Sequence, residues 1–275
     1  MQLTNAMQSA RPRAAFGQGQ GQIQGQGQGL SQPGAPVLSL EAMMHCNFLF
    51  LGDSHIAYFR QAMQILGFLS WQYQFCEAGV ATGIDNGGRQ SATNAFEIFH
   101  RFLRDKNRQS TVVLQLGEAV CSFVIWHRAM LYGEAVSDQL RASISAYVTF
   151  IHDIRRAGFI DIVITGATLP TIREGEVAGA AAAMRREVTA TLAERTKLTL
   201  DYNRALQTNA RELGLRYLDI SADLIDPATK TVRSAYLNPD PCDHHLDYNA
   251  AGQLWADRLR LMIAAESSRR RLPAA

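Results

Sequence analysis

Residues 47–55 read NFLFLGDSH. Asn47–Leu51 (NFLFL) is a nearly unbroken apolar run that stops at Gly52, the pattern of a strand buried on both faces of a parallel sheet. Directly after it, Ile56, Phe59, Met63 and Leu66 recur at three- and four-residue spacing, which predicts an amphipathic helix closing near Gly67. The short junction between the two elements holds Asp53, Ser54 and His55.

The same alternation repeats to the end of the chain. SWQYQFC (70–76) reads as a second strand and is followed by a glycine-rich stretch. Ala95, Phe96, Phe99, Phe102 and Leu103 then mark a helix. TVVLQL (111–116) is the third strand, stopped by Gly117, and Leu140, Ile144, Tyr147, Val148, Ile151 and Ile154 form a helical stripe ending at Gly158. IDIVI (160–164) is the fourth strand. The segment from about Met184 to Leu213 carries Val188, Leu192, Tyr202 and Leu206 on helical faces, and RYLDI (216–220) is the fifth strand. Ala251, Trp255, Leu259 and Met262 define a last helix with Asp247 as its N-cap. Five strand–helix alternations predict one α/β domain, a three-layer α/β/α sandwich around a five-stranded parallel sheet, over residues 37–265. Residues 1–36 alternate Gly and Gln with little to bury and are expected to be a disordered tail. Residues 266–275, with Arg269, Arg270 and Arg271, are expected to be a flexible end.

Composition narrows the function classes. The chain has 275 residues, 47% hydrophobic and 19% charged, so a sizeable core can be buried. A net charge of +2 gives no footprint for nucleic acid. The four cysteines, Cys46, Cys76, Cys121 and Cys242, lack metal-type or CxxC spacing and read as reduced thiols of a cytoplasmic protein. No stretch has the length of an apolar membrane span, so no stable membrane insertion is expected. No cofactor fingerprint is present, and no cofactor or metal is expected.

In open α/β sheets ligands bind beyond the carboxyl ends of the strands, which singles out the loops at Gly52–His55, Gly79–Gly88, Gly117–Cys121, Gly166–Pro170 and the late PDPCDHHLD. A serine at a strand-to-helix junction projects at the top of the sheet, where its own N–H can face a developing oxyanion. It needs a base to take its proton. The late segment supplies His245, with Asp243 two residues earlier to orient the imidazole. An isolated Ser54 would read as a helix N-cap; the early GDSH combined with the late Asp-x-His-Leu favours a nucleophile and base. His100, His127 and His152 lie in helical stretches and read as packed or solvated.

On these residues the chain resembles the SGNH/GDSL hydrolases over about Asn47 to Ile263, which implies a flavodoxin-like fold and metal-independent acyl-ester chemistry. FLGDSH matches the first block, with Ser54 as nucleophile. His245–Leu246 matches the last block, with Cys242 where that block has its aspartate; Asp243 is the substitute, Asp240 the weaker one, and His245 is preferred to His244 because it directly precedes Leu246. The second block implies an oxyanion glycine at Gly79 or Gly83, with Gly79 preferred. ATGIDNGGRQSATNAF is similar to bacterial GDSH-type members that carry a later GEIDCR-type block and a double-histidine ending; GEAVCS (117–122) stands for that block here. The third block, Gly-x-Asn-Asp, has Ala119 and Val120 in place of its Asn and Asp, so one oxyanion donor is missing and Asn86 is a candidate replacement. The resemblance implies a small-molecule or glycan acyl ester, possible transfer in place of hydrolysis, and an acylated sugar as substrate. Two alternatives remain: a degenerate glycan-binding module, motivated by Ala119 and Val120, and a metallophosphoesterase, motivated by Asp53 and His55 with Asp243, His244 and His245.

Overall fold

The computed structural model describes residues 36–78, 95–175 and 187–271. Five strands, β1 (Phe48–Gly52), β2 (Tyr73–Glu77), β3 (Thr111–Gln115), β4 (Ile162–Thr165) and β5 (Arg216–Leu218), form one sheet in the order β2-β1-β3-β4-β5. Every neighbouring pair is parallel. The helices are α1 (Leu40–Met44), α2 (Ala57–Ile65), α3 (Ala95–Leu103), α4 (Ile125–Tyr132), α5 (Val136–Arg156), α6 (Leu192–Glu212), α7 (Ser221–Leu224) and α8 (Tyr248–Arg271). The five-stranded α/β sandwich expected from the alternation is the observed architecture.

Strand pleating sorts the core into two layers. Phe48 and Phe50 on β1, Val113 on β3 and Val163 on β4 face α2 and α8, where Phe59 and Trp255 meet with ring centroids 4.7 Å apart. Leu49, Leu51, Val112, Leu114, Ile162 and Ile164 face the opposite layer of α3, α5 and α6. Side chains on both faces of β1, β3 and β4 are removed from water, which is why these strands read as continuous apolar runs. Because β1 pairs with both β2 and β3, the chain leaves β1 toward one side of the sheet and β3 toward the other. The crevice between their carboxyl ends is the topological switch point, the usual place for a ligand in such sheets.

Element boundaries depart from the sequence expectations where polar side chains intervene. Ser70–Gln72 form a 3₁₀ turn ahead of β2, held by Gln72, whose Oε1 accepts from Leu69 N–H at 3.0 Å and whose Nε2 donates to the Met43 carbonyl at 2.7 Å. Strand β4 starts two residues late because Asp161 accepts from Thr111 Oγ1 at 2.7 Å and pairs with Arg216, leaving Ile160 exposed. Beyond β5, Asp219 accepts from Ser221 N–H at 2.7 Å and opens α7. The last helix does not stop at the expected boundary of 265 but runs to Arg271. Glu266 pairs with Arg216, and Ser267 Oγ donates to the Ile263 carbonyl at 2.9 Å. Asp247 does cap it, its Oδ1 accepting from Ala250 N–H at 2.8 Å. The Gly/Gln stretch lies outside the described residues, apart from its last position.

Candidate active site

The site starts from Gly52, the last residue of β1. A Cβ on it would stand 2.3 Å from the Gln115 carbonyl oxygen and 2.3 Å from Ile56 Cγ2, so only glycine lets the chain turn this close to β3. Asp53 then caps a single 3₁₀ turn, Ser54–Ile56, accepting from His55 N–H at 3.0 Å. The same Oδ1 lies 2.8 Å from His55 Nδ1, so Asp53 fixes both the turn and the imidazole beside it. Asp53 and His55 are buried, and Ser54 is half-exposed at the mouth of the switch point.

The partner arrives from the segment before α8. Ser54 Oγ is 2.7 Å from His245 Nε2, across 191 residues of chain. His245 Nδ1 is 2.5 Å from Asp243 Oδ1, and the same oxygen accepts from His245 N–H at 3.0 Å. With Nδ1–H committed to a carboxylate, the tautomer assigned by the network leaves the Nε2 lone pair to accept the serine proton. Asp243 Oδ2 accepts from Asn238 Nδ2 at 3.0 Å and from the Tyr248 hydroxyl at 3.4 Å. The backbone is anchored as well: Leu246 N–H donates to the buried Tyr58 hydroxyl at 2.8 Å, and Thr171 Oγ1 donates to the His244 carbonyl at 2.5 Å.

Burial lowers the His245 pKa below the ordinary histidine value, and the nearby His55 adds to that, against the opposing pull of Asp243 and Glu118. The imidazole is thereby kept neutral and able to accept a proton near pH 7. Burial alone would raise Asp243, but the two hydrogen bonds from His245 and the positive potential of His245 and His244 outweigh it and lower its pKa. Burial and the Asp243 charge push Tyr248 up to about 12, so its hydroxyl stays a donor. Burial likewise holds Tyr58 well above the usual phenol value.

The loop after β3 starts beside the end of β1, where Gly52 pairs with Gln115. Gly117 has φ +125°, and a Cβ there would meet the Tyr202 ring at 2.8 Å, so the residue meets both a backbone and a packing requirement. Val120–Val124 wind as one π-helical turn leading into α4, an irregularity often found at functional sites. Glu118 is buried and accepts from Ser122 Oγ at 2.7 Å. Ala119 offers only a methyl group. Cys121 is buried, its thiol pushed well up by burial and by Glu118, and Trp126 donates to its carbonyl at 2.8 Å.

Of the residues singled out in the sequence, Ser54, His245 and Asp243 come together. Gly79, Gly83 and Asn86 lie outside the described residues. Asp240 does not reach the imidazole; its Oδ1 accepts from Cys242 N–H at 2.9 Å. His244 does not contact Ser54 through any described hydrogen bond; its ring sits 4.1 Å from that of His245 and 5.5 Å from that of His55. His100 lies against Phe150 and 3.9 Å from Asp153, and His127 stacks on Phe123. Sequence reasoning missed Tyr58, Thr171, Asn238 and Glu118. Tyr58 sits inside the apolar stripe of α2 and reads as core; its second task depends on a partner 188 residues away.

Neither protein-family models nor curated protein sequences give a match to the chain. Solved structures do. A candidate acylhydrolase from Bacteroides fragilis superposes with TM-score 0.50 at 12% identity, covering 85% of this chain and 92% of that one. A carbohydrate acetylesterase family member from Sinorhizobium meliloti gives TM-score 0.49 at 14% identity, covering 80% and 99%. An aryl esterase from M. smegmatis gives TM-score 0.49 at 13% identity, covering 78% and 99%. At such identity the likeness is one of fold. With a parallel sheet in the order β2-β1-β3-β4-β5 and that superposition, the chain has an SGNH/GDSL hydrolase-type fold.

Proposed function

We propose that the protein is a serine-dependent acyl-ester hydrolase or acyltransferase in which Ser54 attacks the acyl carbon, His245 takes and returns the proton, and Asp243 orients His245 and stabilises its charged form. The observation that carries this is the continuous chain from Ser54 Oγ to His245 Nε2 at 2.7 Å and from His245 Nδ1 to Asp243 Oδ1 at 2.5 Å. Nucleophile, base and orienting carboxylate in hydrogen-bond sequence are what such chemistry requires. The acyl-enzyme forms as the ester C–O bond breaks and His245 protonates the leaving oxygen; water or an acceptor hydroxyl then reverses the sequence. The Ser54 N–H and the Gly79 N–H are the proposed oxyanion donors, with Gly83 and Asn86 as the other candidates. An acyl group on a sugar or glycan is the proposed substrate, and the four free thiols fit a reducing, cytoplasmic setting.

Ala119 supports a second reading. Removal of one oxyanion donor lowers rates by about 10²–10³-fold, so a chain built without it suits a non-catalytic glycan-binding module. The described residues offer no helix long and apolar enough to cross a membrane, which is compatible with either reading. A fluorophosphonate probe separates them: stoichiometric labelling at Ser54, blocked by Ser54→Ala and unaffected by chelator, supports the hydrolase. Absent labelling together with glycan binding that survives Ser54→Ala supports the binding module.

A further inference from the structure

The Asp-x-His unit occurs twice at this site, in the same geometry. Asp53 Oδ1 accepts from the backbone N–H of His55 at 3.0 Å and lies 2.8 Å from its Nδ1. Asp243 Oδ1 does the same for His245 at 3.0 and 2.5 Å. The two rings lie with centroids 4.7 Å apart, tilted by 48°. His244 completes a triangle, 4.1 Å from the His245 ring and 5.5 Å from the His55 ring. One ligand atom from each of the three imidazoles lies within 4.8 Å of the other two.

A histidine whose Nδ1–H is held by a carboxylate is oriented as metal-binding histidines are, with a more basic Nε2 directed at the ion. Here two carboxylate–histidine pairs and a third imidazole converge in one half-buried corner. We propose that His55, His244 and His245 form a binding site for a divalent cation of the Zn²⁺ class, and that an ion seated there withdraws His245 from Ser54. Three nitrogens and an open position match the preferences of Zn²⁺ and exclude the hard, oxygen-seeking Mg²⁺ and Ca²⁺. Zn–N bonds of about 2.0–2.1 Å place the nitrogens of a tetrahedral site about 3.4 Å apart. Each pair therefore closes by at most about 1.4 Å from the 4.8 Å bound, within reach of side-chain rotation. The His245 Nε2 lone pair now accepts the serine hydroxyl at 2.7 Å, and the same lone pair is what the cation takes. The ion and the nucleophile therefore compete for one atom. Ion binding stands independently of the proposed enzymatic activity, whereas its inhibitory consequence rests on that activity.

The test uses the full chain after EDTA dialysis. Cobalt(II) is titrated first and read by its visible absorption, which is intense in tetrahedral sites and gains a sulfur charge-transfer band if cysteine coordinates. Zn²⁺ then displaces it in competition with a chromophoric chelator. The expected result is one equivalent bound, no sulfur band, and affinity at least about tenfold weaker in His244→Ala. His244→Asn serves as a second variant with folding checked by circular dichroism, and Cys242→Ser leaves binding unchanged. In the ester assay Zn²⁺ is expected to inhibit: each variant's rate is normalised to its own metal-free rate, and the midpoint of inhibition shifts by the same factor as binding while Mg²⁺ has no effect. Binding that ignores both His244 variants, a cysteine-ligated spectrum, or a rate raised by Zn²⁺ overturns the proposal. Histidine-dependent Zn²⁺ binding in a chain with no metal-free ester cleavage and no fluorophosphonate labelling leaves the site standing and removes the serine-hydrolase reading instead.

Discussion

Tyr58→Phe isolates one hydrogen bond that links the segment of the proposed base, His245, to the helix behind the proposed nucleophile, Ser54. Tyr58 and Leu246 are both at 0% exposure, and the tyrosine hydroxyl accepts the Leu246 N–H at 2.8 Å. Phenylalanine keeps the ring and its packing near His55 and Tyr248, whose centroids are 5.9 and 5.7 Å away, and removes only the oxygen. The Leu246 amide is then buried without its acceptor, an effect of about 1–3 kcal/mol. For a domain of this size each kcal/mol lowers Tm by about 2–4 °C, so the expected drop is about 2–12 °C. The residue before that amide is His245. Slack in its backbone relaxes the 2.7 Å contact to Ser54, and misplacement by an ångström in such pairs lowers rates by about 10²-fold. Calorimetry and ester turnover on the same preparations should therefore show a lower Tm and a kcat reduced about 10–100-fold with KM little changed. A Tyr58→Phe protein with wild-type Tm and wild-type kcat would refute the idea that this bond positions the base.

Asp243→Asn should lower kcat by about 10³–10⁴-fold, measured under saturating ester, because the amide no longer enforces the tautomer that leaves Nε2 to accept from Ser54. The His245 pKa lies below the ordinary value of 6.5, chiefly through burial, and protonation removes the base; kcat/KM should thus rise with pH through a midpoint under 6.5 and be flat by neutrality. A midpoint above 6.5 would contradict that order of effects. In Asp243→Asn the midpoint should move lower still, since Asp243 is one of the groups that raise it. Ala119→Asn should increase kcat, by less than the about 10²–10³ of an evolved oxyanion donor, and an unchanged or reduced kcat would show that position 119 does not face the oxyanion.

The sheet was legible because both-face burial leaves its mark on the sequence: Phe48–Leu51, Val112–Leu114 and Ile162–Ile164 could be placed by apolarity alone. Boundaries were less legible where a side chain overrides periodicity, as Asp161 does at β4 and Gln72 at β2. The short helix α4 carries Met130, Leu131 and Tyr132 exposed, which blurs the apolar stripe that would have announced it. Ser54, His245 and Asp243 could be singled out beside strand ends, the local Asp-x-His spacing favouring Asp243 over Cys242, and the fold brings the three into contact. The supports around them were not readable. Tyr58 and Leu246, or Thr171 and His244, meet only after the chain has folded, and no local pattern marks either pair. The twin arrangement of Asp53–His55 and Asp243–His245 is visible as two short motifs in the sequence, but only the folded sheet brings the two rings to within 4.7 Å.

In the proposed mechanism Ser54 and His245 work as one unit. It is tested most directly by a double-mutant cycle on cleavage of an activated short-chain acyl ester. Ser54→Ala and His245→Ala should each lower kcat by about 10³-fold or more, and the double variant should be scarcely slower than either, because a nucleophile without its base is nearly as inert as no nucleophile. Losses that multiply in the double variant, or cleavage that persists in Ser54→Ala, would contradict the account.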